Sequence, residues 1–333
     1  MKKIFCLLLA LVMALSLVAC GGTADDGGKT PAAAKLRFVT GGESGTYYGF
    51  GSVLANHATN NAGVSVVALS SDGSKANVIS LEEKEAELGF CQSDVMAYAY
   101  NGTNIFADAG KVDCFSVLGA LYTEQVQIVT TNPDIKSVAD LEGKSVSVGA
   151  PASGVYFNAV DILSAYGIGD RDADGKFTKI NATYQSFGDS ADALKNGQID
   201  AAFIVAGAPT TAVTDLATTK SVSLVSLDDE HIEKLLASSP YYTKCTISAD
   251  TYNMAADVTT VGVGAVVLVR DDVPEDTVYA LCADIFDDPA SLASTHGKYA
   301  EVTLDYGASM TAVPYHPGAA KYFADKGFTV PTK

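Results

Sequence analysis

From residue 36 onward the chain alternates short apolar runs with helical stretches, and most apolar runs end in a turn built from Gly, Ser, Thr or Asp. This rhythm constrains the fold more than any other feature. Strands that read as continuous apolar runs are buried on both faces, and helices between them impose parallel pairing. Residues 36–40, 64–69 and 87–90 read as strands, and 47–59, 74–84 and 94–100 as helices. The rhythm then repeats, with strands at 145–148, 180–186 and 201–205 and helices at 154–166, 190–196 and 209–217. Strands at 221–227 and 259–269 follow, and helices at 274–287 and 317–326 close the chain.

A longer apolar stretch, 115–130, is interrupted by Thr123, Glu124 and Gln125, as expected of a strand that leaves one lobe and enters another. A second crossing fits near 259–264, where Gly262 and Gly264 ease a hinge. Two crossings make the first lobe discontinuous, 36–125 plus 265–333, with 126–264 as the second. The expected fold is α/β and two-lobed, each lobe a mostly parallel sheet flanked by helices, joined by two hinge strands. A cleft between such lobes is the preferred ligand site.

The chain opens with Met1-Lys2-Lys3 and an apolar stretch over 4–19. That is short for a bilayer span of roughly 20 residues, and a basic start with a small-residue exit reads as a secretory signal. The exit, Leu17-Val18-Ala19-Cys20, resembles the lipobox of bacterial lipoproteins. The resemblance implies a signal over 1–19, acylation of Cys20, a flexible tether over 20–35, and an extracytoplasmic protein held to the cell membrane only by its lipid. The 22 basic residues against 39 acidic ones, a net of −17, carry the wrong sign for gripping phosphate backbones, so nucleic-acid binding is excluded. Beyond Cys6 and Cys20, the cysteines Cys91, Cys114, Cys245 and Cys282 fit either bridges or reduced core packing, and both stay open.

Ligands of open α/β sheets sit beyond the carboxyl ends of the strands. The turns there are Thr40-Gly41-Gly42-Glu43-Ser44-Gly45-Thr46, Ser70-Ser71-Asp72-Gly73-Ser74, Cys91-Gln92-Ser93-Asp94, Gly149-Ala150-Pro151-Ala152-Ser153-Gly154 and Ala206-Gly207-Ala208-Pro209. Each is small and polar and precedes a helix, whose first N–H groups favour an anion. Together they describe a cleft for a small carboxylate-bearing solute.

In these turns the chain resembles the TAXI type of solute receptor in tripartite ATP-independent periplasmic (TRAP) transporters. The matching stretches run in order almost to the C-terminus: TGGESGTYY at 40–48, GSKANVISL at 73–81, GFCQSDV at 89–95, VGAPASGVYFNA at 148–159, DAAFIVAGAP at 200–209 and VPYHPGA at 313–319. The resemblance implies a type II periplasmic-binding fold, without cofactor, that captures a solute and delivers it as a monomer to a permease driven by an ion gradient. It carries ligand binding to Gly45, Thr46, Tyr47, Ser74, Asn77, Gln92, Ser153, Gly154, Val155, Asn158 and Gly207. Ser44, Gly49 and Val155-Tyr156 depart from the family pattern, the last on the second-lobe anion loop, so the ligand of other members does not transfer. The lipoprotein of an ABC importer, or a ligand-sensing receptor, is the alternative.

The three arginines, Arg37, Arg171 and Arg270, all lie outside the cleft turns, and Lys75 beside them is expected to face solvent. A ligand carboxylate is therefore expected on backbone N–H groups and hydroxyls rather than on a bidentate guanidinium. Glu43, Asp72, Asp94 and Glu124 are placed to receive an ammonium, which suits an amino acid such as glutamate or glutamine better than a plain dicarboxylate. Tyr47 and Tyr156 are candidates to cover its apolar part.

Outside the cleft, Asp170, Asp172 and Asp174 with Gly175 match the start of a calcium loop, but Asn181 stands where a bidentate Glu belongs. The stretch is read as an acidic turn, with calcium as the alternative. No G-x-S-x-G, HExxH, CxxC pair or Walker A sequence is present, and His57, His231, His296 and His316 are scattered. No catalytic residue is assigned, and a lipoprotein hydrolase is a distant alternative.

Overall fold

The computed structural model describes residues Lys35–Lys333. The expected signal, Cys20 and the expected tether up to residue 34 lie outside the described residues.

Ten strands form one sheet in the order β2-β1-β3-β10-β4-β7-β5-β6, with β8 beside β4 and β9 beside β10. They are β1 Leu36–Val39, β2 Val66–Leu69, β3 Leu88–Gln92, β4 Phe115–Thr130, β5 Ser145–Ser147, β6 Asn181–Thr183, β7 Ala201–Ala206, β8 Ser223–Leu224, β9 Thr243–Ile247 and β10 Val258–Arg270. The helices used below are α1 Thr46–His57, α2 Ser74–Glu82, α3 Ser93–Asn101, α4 Gly154–Ala165, α5 Phe187–Lys195, α6 Thr211–Ala217, α7 Asp229–Ser238, α8 Glu275–Phe286 and α9 Pro317–Asp325. The fold is α/β. β2-β1-β3 and β6-β5-β7 pair in parallel, as the intervening helices require. β4 and β10 pair antiparallel with each other and with their neighbours, so the sheet as a whole is mixed.

β4 and β10 run through both halves. The largest buried apolar cluster takes its residues from Leu36 to Tyr122 and from Ala265 to Phe323. Two others, on the two faces of the remaining sheet, draw on Val126 to Val263 and on Val129 to Val258. The polar interruption Thr123-Glu124-Gln125 falls where β4 passes between these clusters. It does not break the strand, because Glu124 and Gln125 stay in the ladder opposite Val263 and Gly262. Gly262 is needed at this crossing: a Cβ there would lie 2.6 Å from Thr123 Cγ2 and 2.7 Å from the Glu124 carbonyl oxygen.

Several elements differ from the sequence reading. The strand expected at 180–186 shrinks to three residues because Ser186 caps α5, accepting the Asp189 N–H, which starts that helix at Phe187. Helix α7 and strand β9 were absent from the reading. Their sequence, DEHIEKLLAS then TKCTI, is mostly polar, and only Ile232, Leu235 and Ile247 are buried. Cys91, Cys114, Cys245 and Cys282 are free thiols. Among the described residues no helix is long and apolar enough to cross a membrane.

Candidate functional site

A cavity of about 120 Å³ lies between the two halves. Its wall is built from the turns that end β1, β2, β3 and β5, together with Glu124 at the crossing and Gln185-Ser186-Phe187. It is somewhat smaller than the void of about 150 Å³ that holds a benzene ring, which limits an occupant of this arrangement to a small molecule.

Three of the helices that start at this wall do so without a side-chain cap. Gly45 at the start of α1, Gly73 at the start of α2 and Gln92 at the start of α3 accept no first-turn N–H with a side chain. Gly73 also has φ of 104°, a conformation that favours glycine. Helix α4 differs: Ser153 Oγ accepts the Tyr156 N–H at 3.4 Å and donates to the Ala150 carbonyl at 2.6 Å. In α2 the Ala76 N–H donates to the Ala152 carbonyl at 3.2 Å and in α3 the Val95 N–H donates to Asp94 Oδ1 at 2.8 Å; the other first-turn N–H groups leave a partial positive charge at the wall.

Eight residues singled out in the sequence line the cavity: Gly45, Thr46, Tyr47, Ser74, Gln92, Ser153, Gly154 and Val155. Asn77, Asn158 and Gly207 stand behind it. Asn77 Nδ2 donates to the carbonyls of Thr40 and Phe90, each at 2.7 Å, tying the ends of β1 and β3 together. Gly207 receives the Thr46 hydroxyl on its carbonyl at 2.7 Å across the two halves. A Cβ on Gly207 would lie 2.6 Å from Lys298 Cε. Asn158 Nδ2 donates to Asp94 Oδ2 at 2.9 Å and to the Tyr242 hydroxyl at 2.8 Å, and its Oδ1 accepts from Gln92 Nε2 at 3.0 Å.

Of the four acids expected at the cleft, Glu124 and Asp72 line the cavity. Glu43 is exposed and away from the wall, and Asp94 is buried in the Asn158 network. Glu124 is 2% exposed. Burial pushes its carboxyl well above the usual range and nearby Asp94 adds to the rise, while the Tyr47 and Gln92 side chains and the Lys298 ammonium oppose it. Burial also raises the Asp94 carboxyl to about 6, against the pull of the Val95 N–H and the Asn158 amide. Two further polar atoms of the wall, Tyr47 Oη and Gln92 Oε1, are buried without a hydrogen-bond partner. Each such atom costs about 1–3 kcal/mol until something pairs with it.

The aromatic expectation divides. Tyr47 lines the cavity, its ring stacked on Phe90 at 4.5 Å. Tyr156 does not; it packs on Phe157, Phe177 and Tyr184. No arginine lines the wall: Arg37 pairs with Glu87, Arg171 reaches the Tyr156 hydroxyl, and Arg270 pairs with Glu87 and Asp272. Lys75 lies over the Phe106 ring. The cation that the sequence reading missed is Lys298, 4% exposed, paired with Glu301 and placed over Tyr122 behind Gly207. Nothing in its sequence surroundings marks it, because it comes to the crossing from far along the chain. Gln185-Ser186-Phe187 escapes for another reason: the apolar pattern predicts a strand through Ser186 and a helix only from 190, whereas α5 begins at Phe187.

In the acidic stretch, Asp172 Oδ1 accepts the N–H groups of Asp174 and Lys176 at 3.0 and 2.9 Å, and Asp170 pairs with Lys179. These carboxylates build a turn, and among the described residues no group of three acidic, His or Cys side chains converges on a metal-sized site.

Fold and site together define an α/β protein of two halves that meet around a small cavity with backbone-rich walls. A profile of the NMT1-like family matches residues 38–327, and the chain belongs to that family. Solved structures with partial similarity include the aliphatic sulphonate binding protein SsuA of Escherichia coli, 18% identical, covering 88% of this chain and 90% of that one with a TM-score of 0.43. The substrate binding protein of an amino acid ABC transporter is 13% identical over 80% of this chain and 95% of that one, TM-score 0.45. The GluR0 ligand-binding core of Nostoc punctiforme, solved with L-glutamate, is 15% identical over 80% and 94%, TM-score 0.43.

Proposed function

We propose that the protein is an extracytoplasmic solute receptor. It captures a small carboxylate-bearing solute, an amino acid such as glutamate or glutamine or a related organic acid, between its halves and delivers it to a TRAP-type permease. The observation that carries this reading is the cavity wall: uncapped helix starts for the carboxylate, unpaired Tyr47 Oη and Gln92 Oε1, and buried Glu124, all within about 120 Å³. Backbone N–H groups with a helix dipole hold an anion without a bidentate guanidinium. Binding without chemical conversion fits hydroxyls that are already engaged: Ser153 spends its proton on the Ala150 carbonyl and Thr46 on that of Gly207.

The test is a thermal-shift and calorimetric screen of amino acids, organic acids, sulfonates and sugars against the chain lacking its signal. A ligand at 100 times its dissociation constant adds about 2.7 kcal/mol of stability. An amino acid is the expected hit, and a sugar or nothing would refute the reading. Delivery is tested in vesicles carrying a TRAP permease. Uptake that needs this protein and an ion gradient supports the assignment, and uptake that needs ATP assigns the protein to an ABC importer instead. Light scattering of the receptor is expected to give a monomer.

A further inference from the structure

Buried Asp94 and half-buried Asp161 dictate the direction of the hydrogen bonds at the inner wall of the cavity. Ionised Asp94 and Asp161 only accept. Tyr242 donates its proton to Asp161 Oδ2 at 2.9 Å, so its oxygen receives, rather than gives, at Asn158. Asn158 Nδ2 spends one proton there and the other on Asp94 Oδ2. Its Oδ1 is thereby turned to Gln92 and takes the Nε2 proton at 3.0 Å. The Gln92 amide has no remaining freedom of direction: nitrogen toward Asn158, Oε1 on the other side. That Oε1 is buried without a partner, in a side chain that lines the cavity. It rests against Gly154, where a Cβ would come within 1.4 Å of it. Glu124 shares this wall and is also an acceptor once ionised.

Resting on the receptor reading above, we propose that Gln92 Oε1 and the Glu124 carboxylate form a subsite for a protonated primary amine of the solute. Asp94, acting through Asn158, is the positioning residue that keeps the Gln92 carbonyl turned toward that amine. A carboxylate or sulfonate placed here would bring a second negative group to Glu124 and keep it protonated, and a hydroxyl would leave it a neutral buried acid. An ammonium supplies three donors and a positive charge that lets Glu124 ionise in place. The approach to the site has the same sign. A second groove shares Asp72 and Ser186 with the cavity and adds Asp189 and Asp192, a field that draws in the cationic end of a solute.

The experiment compares three amines with their amine-free counterparts on the mature chain: L-glutamine with glutaramate, L-glutamate with glutarate, and L-alanine with propionate. Titration calorimetry at pH 7.5 is expected to show the amine-bearing member of each binding pair about ten- to hundredfold tighter, the range for a buried hydrogen bond to a charged group. Glu124→Gln and Gln92→Leu should each bring the two members within about threefold. Ser153→Ala, which disturbs the start of α4, should weaken both members alike. Asp94→Asn should also collapse the preference, by releasing the Asn158 amide to turn over; should that variant not fold, Asn158→Leu reads the same ratio. A ratio near one in the wild type overturns the subsite. A ratio that survives Glu124→Gln or Gln92→Leu overturns the assignment of residues, and one that survives Asp94→Asn overturns the positioning role. If none of the six compounds binds, the amino-acid receptor reading itself has failed, and the subsite falls with it.

Discussion

Gly154→Ala tests whether the Gln92–Asn158 contact joins the two halves of the protein. The added Cβ would sit 1.4 Å from Gln92 Oε1 and 2.4 Å from its Cδ, with Val95 Cγ2 at 3.2 Å. A glutamine end can swing away, so the overlap itself costs little. Swinging away, however, breaks the 3.0 Å bond to Asn158 and strands Asn158 Oδ1 among buried groups. A neutral hydrogen bond contributes about 0.5–1.5 kcal/mol and an orphaned buried acceptor costs about 1–3 kcal/mol, giving a penalty near 2–4 kcal/mol on the closed arrangement. An open form, in which the halves do not touch, carries none of this, and alanine in the first turn of α4 is if anything favourable to it. The penalty therefore falls on closure: affinity for the best ligand should drop about thirtyfold to several hundredfold, while the melting temperature of the free protein holds. Calorimetry and thermal unfolding read the two quantities separately. Wild-type affinity in Gly154→Ala would refute the reasoning, since it would show that the Gln92 amide does not hold the halves together.

Thr46→Val removes the hydroxyl that reaches Gly207 across the halves, while the Gly207 carbonyl keeps the Thr210 hydroxyl at 3.2 Å. With no orphan created, the loss is about 1 kcal/mol, or about fivefold in affinity, and a hundredfold loss by calorimetry would contradict it. Asp94 gives a pH signature. Below about pH 4 its carboxyl is protonated in folded and unfolded chains alike; from there to about 6 only the folded chain holds the proton. Its contribution thus favours the fold at low pH and is lost as pH rises through about 6. Urea unfolding of Asp94→Asn against wild type should accordingly shift in favour of the variant between pH 4 and 7, by something on the order of 3 kcal/mol; parallel curves would exclude the buried carboxylate as the source. Cys20→Ser should abolish acylation of the mature protein, detected by mass spectrometry and by release from the membrane fraction, and a lipid retained in the variant would refute the anchor.

The α/β rhythm was legible because buried parallel strands such as Leu36–Val39 and Ala201–Ala206 must be apolar on both faces, and such runs stand out between helices. The crossing at Glu124 was legible as an interruption, though for a reason the sequence does not state. Glu124 and Gln127 are buried in the strand, not exposed by its ending. The polar turns pointed to the wall, since Gly45, Gly73 and Ser153 start helices there. Residue type could not say which polar groups face the cavity and which brace it. Asn158 and Gln92 are both buried amides, and only the positions of Asp94, Tyr242 and Asp161, scattered along the chain, decide which of them has an atom to spare. Lys298 escaped for the same reason, being brought to the site by tertiary packing alone.

On the proposed reading, the same groups that recognise the solute also make closure depend on it. An empty closed cavity leaves Tyr47 Oη and Gln92 Oε1 unpaired and Glu124 buried at a cost that raises its carboxyl well above the usual range. Two orphaned polar atoms at about 1–3 kcal/mol each amount to about 2–6 kcal/mol against closing empty. Shifting a two-state equilibrium from 1:99 to 99:1 takes about 5.5 kcal/mol of preferential binding, which is the same order. An amine-bearing solute supplies it by giving donors to the acceptors and a charge to the acid. An arginine in the wall would undo this arrangement, because it would give donors to Tyr47 Oη and Gln92 Oε1 in the empty protein and let the halves close without cargo. The absence of guanidinium from the wall is thus consistent with a receptor whose closed surface must report that the cavity is full.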